Sequence, residues 1–129
     1  MDTVANFLTA LHNAVRVRQA RVVVPASRLN RALARFLAEH GYVAAVRVSD
    51  DAVRPMVTLT LKYDEQERPK IQGLRRLSKP GRRRYVGHTE IPFSHDGMGV
   101  IVLSTSQGLM DDKKARKTKT GGELLCEVW

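Results

Sequence analysis

A single cysteine, Cys126, stands in 129 residues, so no internal disulfide can form and a reducing compartment suits the chain. The four histidines, His12, His40, His88 and His95, are scattered without ligand spacing. With one cysteine beside them, the usual zinc set cannot be assembled. No apolar run approaches the roughly 18 residues of a membrane-spanning helix, and no signal-peptide pattern opens the sequence. Neither Ser104 nor Ser106 sits in a Gly-x-Ser-x-Gly elbow. Gly97-Met98-Gly99 lacks the third glycine of a dinucleotide fingerprint and precedes a strand rather than a helix. His95 beside Asp96 does not by itself make a triad. No convergent acid, base and nucleophile is legible, so the expectation is a non-enzyme with no cofactor and no bound metal. There is no internal repeat and no low-complexity segment.

Acidic residues are scarce as well. Thirteen Asp and Glu face 22 Lys and Arg, a formal net charge of +9. That balance favours a polyanionic partner, and without a membrane segment it favours nucleic acid. Hydrophobic residues make up 43% of the chain, enough for a packed core, which excludes a disordered basic tail. The length allows one domain or two small ones.

Asp2 or Thr3 is placed to cap a first helix, whose Val4, Phe7, Leu8, Leu11 and Val15 share one face. Val22-Val23-Val24-Pro25 predicts a short strand ended by proline. Ser27 is the next cap; Leu29, Ala32, Leu33, Phe36 and Leu37 form an apolar face, and Gly41 is the stop. Arg28, Arg31 and Arg35 make a stripe on the far side. No Asp or Glu occurs from Asn13 to Ala38. A surface needing only solubility would mix signs, so the stripe points to anion contact. Strands are expected over Val43 to Val48 and Met56 to Tyr63, joined across Ser49-Asp50-Asp51.

Asp64 to Pro69 is polar and reads as a linker. Lys70 to Arg84 then carries seven basic residues and no acid. Ser78-Lys79-Pro80-Gly81 is a turn signal of type II pattern, which predicts strands over Ile71–Leu77 and Arg82–Val86 on either side. Tyr85, directly after Arg82-Arg83-Arg84, is either a half-buried strand residue or a surface on which a base stacks. Val100 to Leu103 reads as a buried strand that runs into Ser104-Thr105-Ser106-Gln107-Gly108. Hydroxyls there can donate and accept at a base edge or a ribose, or simply close their own turn. A short basic helix follows Asp111-Asp112, and Glu123 to Trp129 forms a last strand. Cys126 alternates with apolar neighbours there and reads as an inert buried thiol.

Gly99-Val100-Ile101-Val102-Leu103-Ser104-Thr105-Ser106-Gln107-Gly108-Leu109-Met110, Ala115-Arg116, and Gly121-Gly122-Glu123 through Trp129 resemble the C-terminal signature of the bacterial-type small-subunit ribosomal protein S8 family. Upstream, Pro25-Ala26-Ser27-Arg28-Leu29, Leu59-Thr60-Leu61-Lys62-Tyr63, and Ser78-Lys79-Pro80-Gly81 with Arg83 and Tyr85 are similar to further family segments. The likeness covers essentially the full chain. It implies an α+β fold of two small domains: residues 1–64 as an α-β-α-β-β unit, and residues 65–129 as an antiparallel β-sheet with a short helix that binds RNA. It implies a structural constituent of the small ribosomal subunit, in bacterial cytoplasm or an organelle matrix. As its partners it implies the central domain of small-subunit ribosomal RNA, bound early in assembly, and neighbouring ribosomal proteins. The runner-up is a regulator that binds messenger RNA with the same surface. The family's contacts carry to Ser104, Thr105, Ser106, Gln107 and Gly108 in the loop. They carry also to Lys79, Arg83 and Tyr85, to Ser27, Arg28 and Arg31, and to Glu123 near the loop. Three departures stand out: Gln107 where the family often has lysine, Arg84 where it has an apolar residue, and Val86-Gly87-His88 where it is often basic.

Overall fold

The computed structural model describes residues 3–49 and 53–129. The expected cap at Asp2 and the Asp50-Asp51 turn lie outside the described residues. The chain is mixed α and β, with two antiparallel sheets. It divides into two compact units between Gln72 and Gly73.

In the first unit, α1 (Thr3–Arg16) buries Val4, Phe7, Leu8, Leu11 and Ala14. Ala14 takes the inward position expected of Val15, which is half-buried. Strand β1 (Arg21–Pro25) alternates, with Val22 and Val24 turned inward. Ser27 caps α2 (Arg28–Glu39), its side chain accepting from the Asn30 amide at 3.1 Å. Asn30 in turn donates to the Pro25 carbonyl at 2.9 Å and ties the helix to β1. After α2, Gly41 has φ +77°, a left-handed stop that glycine adopts without steric cost. Strands β2 (Val43–Val48) and β3 (Met56–Leu61) complete a sheet of order β1-β3-β2. Val57 and Leu59 are fully buried on the central strand, each contributing about 1.5–3 kcal/mol of transfer free energy.

The polar stretch after β3 folds back instead of running free. Asp64 accepts from the amides of Gln66 and Arg68 and pairs with the Arg68 guanidinium at 2.7 Å. Tyr63 bridges to Pro69, and the Lys70 amide donates to the Lys62 carbonyl at 2.8 Å.

The second unit is built around β8 (Gly122–Val128). One edge pairs with β6 (Val100–Thr105), which pairs onward with β7 (Gly108–Asp111). The other edge pairs with β4 (Leu74–Arg76) and then with β5 (Tyr85–Val86). Leu77, Ile91, Ile101, Leu103, Met110, Ala115 and Leu124 form a core cluster. Asp111 caps α3 (Asp112–Lys117), accepting from the Lys114 amide at 2.7 Å. Asp112, 2% exposed, accepts from the Ile101 amide and pairs with Arg116 at 2.7 Å. Both carboxylates thus sit at the positive end of a short helix.

Three expectations change here. β4 and β5 are not the two arms of a hairpin. Both run antiparallel to β8 along one edge, so they are one interrupted strand. The Leu77 amide donates to Leu125, and the Leu124 amide donates to Arg84. Residues 78–83 therefore loop out between neighbouring positions of β8. A hairpin would have set the five arginines of its two arms against one another; pairing with β8 places Glu127 opposite Arg75. The tip is also not a type II turn. Lys79 and Arg82 exchange backbone hydrogen bonds of 3.2 and 2.9 Å around Pro80-Gly81, but Gly81 is not among the positive-φ glycines, as type II requires. Finally, β7 is an additional strand, made by a two-residue turn at Ser106-Gln107 with Gly108 at φ +104°.

Candidate nucleic-acid interface

The three consecutive hydroxyls after β6 are not equivalent. Thr105 donates from Oγ1 to the Gly108 carbonyl at 2.8 Å and accepts from the Gln107 amide at 3.1 Å. Its hydroxyl closes the β6–β7 turn. Ser104 is half-buried and Ser106 is exposed, and neither hydroxyl has a hydrogen-bond partner among the described residues. A locked turn thus presents two unengaged hydroxyls and the exposed Gln107 amide.

The strand register ties this turn to the basic loop. Ser104 lies opposite Glu123, and Glu123 lies opposite Tyr85. Directly paired residues share a face of the sheet, so Tyr85, Glu123 and Ser104 form one row across β5, β8 and β6. Gly122 allows the close approach: a Cβ there would clash with the Ser104 carbonyl oxygen. Tyr85 is 69% exposed, which settles its two readings against half-burial and leaves its ring accessible.

Glu123, which the resemblance places near the loop, is engaged within the protein. Its Oε2 accepts from Ser78 Oγ at 2.6 Å and from Arg83 Nη1 at 3.2 Å. Ser78, 1% exposed, also accepts from the Arg84 amide at 3.1 Å. The acid therefore anchors both ends of the looped-out segment. Between that loop and the sheet edge runs a groove of about 510 Å³ lined by Arg75, Arg76, Leu77, Lys79, Arg82, Arg83 and Arg84. Arg75 pairs with Glu127 at 3.1 Å, and Arg76 donates to the Ser78 carbonyl. Lys79, Arg82 and Arg84 are exposed and have no acidic partner among the described residues. Arg75 and Arg82 were legible only as members of a basic run; the groove exists because the run folds back onto β8.

In the first unit, Ser27 is engaged as a cap. Arg28, Arg31 and Arg35 are all exposed. Arg31 donates from Nε to the Ala26 carbonyl at 3.0 Å, which fixes its stem while its terminal nitrogens stay free for a phosphate. The first turn of α2 contains no acid. A positive helix end carrying arginine is unfavourable by about 0.3–1 kcal/mol with nothing bound, and favourable once an anion sits there.

Burial lifts the Cys126 thiol to about 12, with a smaller opposing pull from Arg76; such a thiol is not a nucleophile near neutral pH. Among the described residues there is no group of three or more metal-ligating side chains, and no helix long and apolar enough to cross a membrane.

The family model described as Ribosomal protein S8 matches residues 2–129. The chain belongs to the ribosomal protein S8 family. It is 46% identical over 128 residues to small ribosomal subunit protein uS8 of Sorangium cellulosum (strain So ce56), covering 99% of this chain and 98% of that protein. It is 45% identical to uS8 of Anaeromyxobacter sp. (strain K), over 99% and 97% of the two chains. It is 43% identical to uS8 of Caldicellulosiruptor bescii (strain ATCC BAA-1888 / DSM 6725 / KCTC 15123 / Z-1320), over 100% and 98%. Among the residues that the S8 likeness singled out, Ser104, Tyr85 and Glu123 share one row of the second unit, and Glu123 reaches Arg83. Lys79 lines the groove beside them. Ser27, Arg28 and Arg31 belong to the other unit.

Proposed function

We propose that this S8-family chain is a non-catalytic structural constituent of the small ribosomal subunit. It binds the central domain of small-subunit ribosomal RNA directly and helps the subunit assemble, with neighbouring ribosomal proteins joining afterwards. The observation that carries this reading is the division of labour in the β6–β7 turn: Thr105 locks it, while Ser104 and Ser106 keep free hydroxyls. Unengaged hydroxyls at a locked turn, one of them in the same sheet row as an exposed tyrosine, suit an irregular RNA feature whose bases are unstacked. Cations of the groove, with Arg28 and Arg31 on α2, neutralise phosphates and set register without reading sequence. The second unit reads RNA, and α2 of the first adds backbone contacts. Glu123 acts as a positioning residue that holds the basic loop. Footprinting on purified small-subunit ribosomal RNA, alongside total messenger RNA, tests the proposal. Protection confined to the central domain, and cosedimentation with small subunits after a high-salt wash, are expected. Equal or stronger protection of a messenger RNA would overturn it in favour of a regulator.

A further inference from the structure

Phe93, in the segment between β5 and β6, is 75% exposed. A lone exposed apolar side chain is ordinary, but this ring is held. The Arg116 guanidinium lies over one ring face, its Cζ 3.9 Å from the centroid. Arg116 is itself fixed, donating from Nη2 to Asp112 at 2.7 Å and to the Pro92 carbonyl at 2.9 Å. Asp112 is buried and takes the Ile101 amide of β6. Rigid contacts therefore run from the central sheet to the ring, and the ring's other face is open. An aromatic ordered before its ligand arrives loses little further entropy on binding.

The surroundings are cationic. Lys113 stands three before Arg116 on α3 and neighbours it on the helix surface, and Lys117, four after Lys113, neighbours that lysine in turn. Both are exposed, with no acidic partner among the described residues. Glu90, on a 3-10 turn that touches α3, tempers the charge without pairing with either lysine. This site lies on the face of the sheet that α3 covers, with Ala115, Leu103 and Leu124 beneath. The Tyr85–Glu123–Ser104 row occupies the other face, because Leu103 and Leu124 directly precede and follow those row positions on their strands.

We infer that Phe93, backed by Arg116 and flanked by Lys113 and Lys117, is a stacking site for an unpaired RNA nucleobase and its neighbouring phosphates, separate from the Ser-Thr-Ser turn. A free aromatic face beside cations is the common means of holding single-stranded RNA without reading its sequence. The inference rests on the reading of the chain as an RNA binder. The test titrates the full chain with short oligoadenylate, an abasic strand of equal length, a plain RNA duplex, and purified small-subunit ribosomal RNA. Phe93→Ala is expected to weaken oligoadenylate about 5- to 150-fold. It should leave the abasic strand, the duplex and the unfolding midpoint unchanged, and Phe93→Tyr should restore binding. Replacing Lys113 and Lys117 together by Ala should flatten the oligoadenylate salt slope by about 1.4, at about 0.7 per phosphate on a single strand. The site is overturned if Phe93→Ala binds oligoadenylate like the parent, or if the parent prefers oligoadenylate no more than the abasic strand. It is also overturned if Phe93→Ala loses only cosedimentation with small subunits, which would make the ring a protein contact. Failure of the parent to bind ribosomal RNA would instead sink the RNA reading itself.

Discussion

Removing one hydroxyl at a time from the β6–β7 turn should separate recognition from folding. Ser106→Ala deletes an exposed hydroxyl with no hydrogen-bond partner among the described residues, so unfolding free energy should change by less than about 0.5 kcal/mol. If Ser106 meets a buried RNA group, that group is left unpaired, and specific affinity should fall by about 1–3 kcal/mol, or roughly 5- to 150-fold. No counterion is involved, so the salt slope should hold. Thr105→Val is the converse. It keeps the side-chain shape but breaks the bonds to Gly108 and Gln107. Water can replace both partners in this exposed turn, so the loss should be about 1–2 kcal/mol of stability. Any loss of RNA affinity should follow from a looser turn. Urea unfolding gives the first quantity, and fluorescence anisotropy against the cognate ribosomal RNA core and a plain duplex gives the second. A folded Ser106→Ala variant that binds both RNAs like the parent would refute the reasoning and reduce the segment to a turn. Thr105→Val losing specific affinity at full stability would show that the roles are reversed.

Arg31→Ala and, separately, Arg82→Ala should each weaken specific and non-specific RNA by similar factors. Each should flatten log affinity against log salt by about 0.7–0.9, read from titrations at several salt concentrations; an unchanged slope would mean that side chain meets only solvent. Cys126 should resist a thiol reagent in the native protein at pH 8 and react quickly in urea, because burial holds its thiol up at about 12. Its folded pKa lies above the ordinary thiol value of 9.0, so the unfolded state loses its proton first. Native stability should therefore fall as pH rises from about 9 towards about 12, and be insensitive to this group below that window. Rapid native labelling would contradict the burial.

Local signals were legible in the sequence wherever one residue does one local job. Ser27 caps α2, Asp111 caps α3, and the alternation through Val57, Leu59 and Leu61 marks the buried face of β3. Part of what could not be read depends on residues far away in the chain. Pro80-Gly81 makes a tight reversal whether or not its flanks pair with each other; β8 decides that, and the Ser78–Glu123 bond joins positions 45 residues apart. β7 has only four residues, too few for any periodicity to register. The polar composition from Asp64 to Pro69 suits a linker and a tied turn equally well, and it is the Asp64–Arg68 pairing that folds it back. At the candidate site, three hydroxyls in a row look alike in sequence. Only the distances within the turn show that Thr105 is engaged.

The scarce carboxylates of the second unit show how a basic protein fixes its charge in place. Glu127, 4% exposed, takes Arg75 and the His95 amide; Asp112 takes Arg116 and the Ile101 amide; Glu123 takes Ser78 and Arg83. Each binds at least two donors, which offsets its desolvation. The cations that remain unpaired point outward. Removing such an acid adds positive charge yet should harm recognition, and Glu123 is the sharpest case. Glu123→Ala raises the formal net charge from +9 by one, but it strands the buried Ser78 hydroxyl and releases Arg83. Unpairing a buried polar group costs about 1–3 kcal/mol, and residues 78–83 lose their anchor to β8. Non-specific duplex affinity should rise or stay level, while specific affinity for the ribosomal RNA core falls and amide exchange in the loop accelerates. Glu123→Gln keeps an acceptor for Ser78 and should recover most of the loop's protection. If Glu123→Ala instead binds both RNAs more tightly with the loop still protected, charge alone governs binding, and the geometry held by Glu123 is irrelevant to it.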